Sequence, residues 1–177
     1  MILGAVLAGG QSTRFGSDKA LAELAGQTLL ARAVETLASQ CDAIVVVGRS
    51  EAPVPCLADR PRAGMGPLGG IAAALHHAAQ NGFDAVLTTA VDSFGYDDDL
   101  VTQLSPAPAY CQSQPVIGLW PASAAPVIDA ILAGSGRHSL RAFAQAMDAR
   151  AVALGRIPHN INTPADLAAA QEHAHGL

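Results

Sequence analysis

The chain has 177 residues, half of them apolar and 14% charged, which excludes a disordered polypeptide and allows one domain with a sizeable core. Its formal net charge of −5 lacks the basic face of a general nucleic-acid binder, and no apolar run approaches the ~20 residues of a membrane span. The N-terminus has no basic region of a signal peptide, and Cys41, Cys56 and Cys111 show no C-x-x-C spacing. The expectation is a cytoplasmic protein with reduced thiols and no nucleic-acid or membrane partner.

In chain order, Met1–Leu7 reads as a buried strand, followed at once by Ala8-Gly9-Gly10-Gln11-Ser12-Thr13-Arg14-Phe15-Gly16-Ser17-Asp18-Lys19-Ala20. Paired glycines let a backbone take positive φ and bring N–H groups near a ligand. Such successive N–H groups make an anion-binding concavity, to which Arg14 and Lys19 add charge. Residues 21–24 read as extended up to the turn at Ala25-Gly26-Gln27. Thr28 then caps a helix to about Gln40, with Leu29, Leu30, Ala33, Val34 and Leu37 at helical spacing. Residues 42–48, DAIVVVG, form a continuous β-branched run, the pattern of a strand buried on both faces.

Residues 50–63 carry prolines without periodicity and read as a loop holding Asp59. Pro67 opens a helix that ends at Asn81-Gly82. Residues 84–91 are the next buried strand, with Asp92 and Ser93 at its carboxyl end, where open parallel sheets bind ligands. Asp97, Asp98 and Asp99 precede a short helix over 100–104. Capping explains them, with a metal role as the alternative. Strands are predicted at 109–112 and 115–120, helices at 125–133 and 139–147, and a last strand at 151–154. Thr163, Pro164 and Asp166 make a well-formed start for the final helix. This order predicts an α/β fold: a three-layer α/β/α sandwich, Rossmann-like, with a mostly parallel sheet, in one domain over residues 1–177.

Two phosphate motifs are excluded. Gly10 and Gly16 are too widely spaced for a Walker loop, and Lys19 does not follow the second glycine. The one G-x-G-x-x-G, Gly64 to Gly69, follows a polar proline-bearing segment rather than a strand. Lys19 is the only lysine among the chain's basic residues. An ammonium is a rotatable point charge suited to a moving phosphate, although an arginine-biased composition explains its solitude equally. The histidines lack ligand spacing; His76 and His77 are adjacent and point apart on a helix. Asp92 is the strongest acidic candidate, because a strand-end carboxylate beside a phosphate loop suits Mg²⁺.

The opening loop resembles the L-A-G-G-x-S-x-R-x-G-x-D-K signature of nucleotidyltransferases. With Gly9-Gly10 and Asp18-Lys19-Ala20 it is most similar to the molybdenum cofactor guanylyltransferase (MobA) family. Pro67-Leu68-Gly69 resembles that family's G-P-L-x-G motif, residues 114–120 its acceptor-side strand, and Asn160-Ile161-Asn162-Thr163-Pro164 its N-x-N-T-P segment. The resemblance implies transfer of GMP from Mg·GTP to the phosphate of molybdenum-bound molybdopterin. By the same resemblance Leu7, Ala8, Gly9, Gly10 and Asp59 contact the nucleotide, Arg14 and Lys19 grip phosphates, and Asp92 holds Mg²⁺. Gln114, Arg137, Asn160 and Asn162 fall on the acceptor side. Turn capping is the alternative role for the asparagines, and a solvated helix face is an equal alternative for Arg137 and Arg141. A labile pterin intermediate suggests transient docking to donor and recipient proteins.

Two positions depart from the family pattern. Asp92-Ser93 is followed by Phe94 rather than the proline of D-x-P, and Gly48 stands where a nucleotide-contacting asparagine is expected. A cytidylyltransferase, a transferase with another phosphorylated acceptor, and a non-catalytic nucleotide-binding homologue are the competing readings. Ala8-Gly9-Gly10, in place of A-A-G, favours guanylyl transfer.

Overall fold

The computed structural model describes residues 1–10 and 18–175. Its first half runs β1 (Ile2–Leu7), a 3₁₀ turn (Lys19–Leu21), β2 (Glu23–Leu24), β3 (Gln27–Thr28), α1 (Leu29–Ala38), β4 (Ala43–Val47), β5 (Cys56–Leu57) and α2 (Pro67–Gln80). Next come β6 (Ala85–Ala90), β7 (Ser93–Phe94), α3 (Leu100–Leu104), β8 (Ala109–Cys111) and β9 (Gly118–Pro121). The chain closes with α4 (Ala125–Ala133), α5 (Leu140–Ala146), β10 (Arg150–Val152), β11 (His159–Asn160) and α6 (Pro164–His175).

Seven strands form the main sheet in the order β10-β8-β9-β6-β1-β4-β5. All neighbours are parallel except β9, which runs against both β6 and β8. This is the mostly parallel, helix-flanked sheet read from the sequence. The apolar runs of β1 and β4 are continuous because both faces are covered. Leu3 and Ala5 pack with α2, α4 and α5 on one face, while Val6 packs with α1, α3 and α6 on the other.

One face of the sheet carries an aromatic cluster. Trp120, fully buried, packs 4.7 Å from Phe143 and 6.4 Å from Tyr110 by ring centroids. Its indole N–H donates to Thr88 Oγ1 at 3.1 Å, and Thr88 Oγ1 donates to the Val116 carbonyl at 2.7 Å, so both buried polar groups are satisfied. The Cys41 thiol is pushed up to about 12 by burial and by neighbouring Asp42, which keeps it protonated and unreactive.

Local signals place most boundaries. Thr28 Oγ1 accepts from the Ala31 N–H at 3.1 Å, and Ser139 Oγ accepts from Ala142 at 3.1 Å, each capping its helix. Several expectations need correction. The loop expected over 50–63 contains the edge strand β5, which is too short to show a pattern. Residues 115–117, expected as strand, form a turn closed by the Ile117 N–H to the Gln114 carbonyl at 2.9 Å, so β9 starts at Gly118. The last sheet strand lies at Arg150–Val152 rather than 151–154, and Leu21 sits in the 3₁₀ turn rather than in an extended segment. Asp99 makes no side-chain cap to α3. It and Asp97 instead accept from the Gln103 side chain, and Asp97 also pairs with Arg156 at 3.2 Å.

Candidate nucleotide site

β1 lies between β4 and β6, and the helices leaving β1 and entering β6 pack on opposite faces. Such a sheet opens a crevice beyond the carboxyl ends of its central strands, where ligands bind. A cleft of about 940 Å³ occupies that position. Leu7, Ala8, Gly9, Gly10, Lys19, Asp59 and Asp92, the nucleotide-side residues read from the sequence, all line it. Arg14 lies outside the described residues.

Backbone bonds fix the walls. The Ala8 N–H donates to the Val47 carbonyl at 2.9 Å and the Val91 N–H to the Leu7 carbonyl at 3.1 Å, so the segments leaving β1, β4 and β6 stay in register. Gly48, at φ +90°, lies against the glycine turn, and a Cβ there would come within 2.6 Å of Gly9 Cα. That clash is a physical reason for glycine where an asparagine was expected. α2 also sits close on the sheet, since a Cβ on Gly70 would meet Leu7 Cδ2 at 2.9 Å and lie 3.8 Å from Asp59 Oδ1. Asp59, in the loop after β5, lies against the start of α2 and lines the cleft, and burial pushes its carboxyl above the usual range.

Across the cleft, Lys19 Nζ donates to Asp92 Oδ2 at 3.3 Å and to Asn162 Oδ1 at 3.5 Å. Asn162 is set by a reciprocal cap: Asp166 Oδ2 accepts the N–H groups of Asn162 and Thr163 at 2.9 Å, while Thr163 Oγ1 accepts from Asp166 at 3.1 Å. The cap thus fixes the backbone of the residue whose side chain meets Lys19.

The loop without its proline is held another way. Ser93–Phe94 pairs antiparallel with His159–Asn160, and the Ile161 N–H donates to the Asp92 carbonyl at 2.8 Å. Beneath it Ser93 Oγ donates to Oε1 of buried Gln114 at 2.8 Å. Gln114, Asn160 and Asn162 therefore gather around Asp92, whereas Arg137 stands exposed in the turn before α5. Sequence reasoning gave Asp18 no role beyond its place in the signature and missed Arg49; the two line the cleft and pair at 2.9 Å. An arginine just past a buried strand, at the ligand end of the sheet, was the available signal.

Among the described residues no group of three or more His, Cys, Asp or Glu could cage a metal. One hard carboxylate oxygen beside a glycine-lined cleft suits Mg²⁺ delivered with phosphates, because that ion keeps several waters and dehydrates reluctantly. The donor set at Asp92 fits this role and not that of a resident zinc site.

This cleft lies at the strand ends where a mostly parallel sheet takes its ligand, and the family match and the relatives make the protein a nucleotidyltransferase. The chain belongs to the MobA-like NTP transferase domain family, whose model matches residues 4–153. It is 40% identical to the molybdenum cofactor guanylyltransferase of Rhodobacter capsulatus, over 97% of this chain and 95% of that one. It is 36% identical to the molybdenum cofactor guanylyltransferase of Acidiphilium cryptum, over 94% and 92% of the two chains. Among solved structures, the molybdopterin-guanine dinucleotide biosynthesis protein A of Archaeoglobus fulgidus superposes with a TM-score of 0.77 at 20% identity. The match covers 99% of this chain and 100% of that one, a likeness of fold.

Proposed function

We propose that the protein transfers GMP from Mg·GTP to the terminal phosphate of molybdenum-bound molybdopterin, giving the guanine dinucleotide cofactor and pyrophosphate. The observation that carries this reading is the Lys19–Asp92 pair across a cleft lined by the glycine turn, in a chain closely related to guanylyltransferases. An oxygen of the acceptor phosphate attacks the α-phosphorus, the bond to the bridging oxygen of the β-phosphate breaks, and pyrophosphate leaves with that electron pair. The acceptor is already a nucleophile, so positioning and electrostatics supply most of the catalysis.

The N-terminal half of the domain holds the nucleotide. Leu7, Ala8, Gly9 and Gly10 cradle it, Asp59 meets its base side, and Lys19 and Arg14 neutralise charge that develops on the phosphates. Asp92 would hold Mg²⁺, which when bound neutralises the phosphates and orients the leaving group. The C-terminal half takes the acceptor: Asn160 and Asn162 line its approach, Arg137 supplies charge, and Gln114 supports the loop from beneath. Transient docking to cofactor donor and recipient proteins in the cytoplasm fits a labile pterin. Cofactor transfer from a physically separated donor at undiminished yield would remove the docking step.

Pyrophosphate release measured with GTP, CTP and ATP, with and without molybdenum-molybdopterin, tests the reaction. Release only with GTP and acceptor together supports it. Turnover with CTP or another acceptor shifts the assignment to a related transferase, and binding without turnover refutes the enzyme.

A further inference from the structure

We propose that Arg49 is a charge-compensating residue of the nucleotide cleft: its guanidinium cancels the Asp18 carboxylate at the rim, so that a triphosphate meets Lys19 without an opposing anion beside it. Arg49 Nη1 lies 2.9 Å from Asp18 Oδ1, and both residues line the cleft. The arginine side chain is only 19% exposed, whereas the aspartate is 46% exposed. The inference rests on the nucleotide reading of this cleft.

Asp18 immediately precedes Lys19, so a carboxylate sits one residue from the cation that faces Asp92. Left alone, that carboxylate would repel a nucleoside triphosphate binding at the adjacent Lys19, within a Debye length of it. Gly48 offers no side chain and is pressed on Gly9, so Arg49 is the first side chain beyond β4 that reaches the site. It crosses from the β4 side of the crevice to the segment that follows the glycine turn. A rim ion pair of this kind contributes little to folding stability. Its value is expected where an anionic ligand enters.

Calorimetric titration with GTP of the wild type, Arg49→Ala, Asp18→Asn, the double variant and Arg49→Lys tests the assignment. Arg49→Ala should weaken GTP binding about tenfold. Asp18→Asn alone should bind at least as tightly as the wild type, because the repelling charge is gone. The double variant and Arg49→Lys should both return to within about threefold of the wild type. Unchanged binding by Arg49→Ala would overturn the proposal. So would a double variant as weak as Arg49→Ala, which would mean that Arg49 touches the nucleotide itself. An Asp18→Asn protein as weak as Arg49→Ala would make the pair a tether and also sink it. A folded wild type that fails to bind GTP would instead sink the nucleotide reading, and thermal midpoints separate misfolding from either result.

Discussion

Lys19 Nζ and Asp92 Oδ2 lie 3.3 Å apart, joining the segment after β1 to the end of β6 across the mouth of the sheet. The cation suited to phosphate and the carboxylate suited to a divalent ion thus face each other inside one cleft. In the proposed reaction, incoming Mg·nucleotide replaces their mutual contact with one partner for each.

Lys19→Ala should lower turnover by about 10²–10³-fold, the scale of losing one electrostatic group at a developing charge. The pair is partly solvated, so its loss should change folding stability by no more than about 1 kcal/mol. Steady-state kinetics beside thermal melting checks both halves. Near-normal kinetics would remove the phosphate role. Lys19→Arg should recover only part of the rate, since a planar fork does not replace a rotatable point charge.

Gly48→Asn should destabilise the protein by roughly 1–3 kcal/mol, the usual range for overpacking. A Cβ at φ +90° lies 2.6 Å from Gly9 Cα and 2.7 Å from Gly9 N, and backbone must move to admit it. GTP affinity should fall as well, because the glycine turn shifts. A urea midpoint and GTP affinity both equal to wild type would show that the two strand ends separate freely.

Ser93→Ala removes the donor to the buried Gln114 amide and leaves its oxygen unsatisfied, at a cost of about 1–3 kcal/mol. The loop carrying Asp92 should loosen, so turnover at limiting Mg²⁺ should drop more than turnover at saturating Mg²⁺. Ser93→Thr, which keeps the hydroxyl, should restore both. Equal losses at every Mg²⁺ concentration would show that Ser93 does not act through Asp92.

Asp166 gives a pH signature. Hydrogen bonds from Asn162 and Thr163, with the Lys19 charge nearby, hold its carboxyl below the usual carboxylate range. A depressed folded pKa means that its contribution is present above the unfolded value of about 3.9 and is lost as pH falls through the lower folded value. Asp166→Asn should therefore lose stability at neutral pH and show a shallower decline below about pH 4. Parallel acid-unfolding curves for the two proteins would contradict the assignment. Because the cap sets Asn162, which accepts from Lys19, the variant should also raise KM for GTP.

The lining of the cleft was legible because each of its signals is local. The glycines directly follow the buried run of β1, the acid directly follows that of β6, and parallel pairing of β1 with β6 carries both to one edge. The cap at Thr163 and Asp166 was readable for the same reason. What escaped depends on distant partners. The β7–β11 ladder brings residues 93–94 against 159–160, and strands of two residues carry no periodicity. The Arg49–Asp18 pair spans 31 positions. Gln114 was expected on the acceptor side, but its burial beneath Ser93 follows from a turn that the apolar run 115–120 disguised as strand.

The most direct measurement is Mn²⁺ titration, followed by electron paramagnetic resonance, of the wild type and Asp92→Asn with and without GTP. Asparagine keeps the side-chain shape while removing the charge. Wild type should bind Mn²⁺ only when GTP is present, and Asp92→Asn should lose that bound ion while still binding GTP in chelator. Equal Mn²⁺ binding by the two proteins would contradict a cleft in which Asp92 holds the metal opposite Lys19.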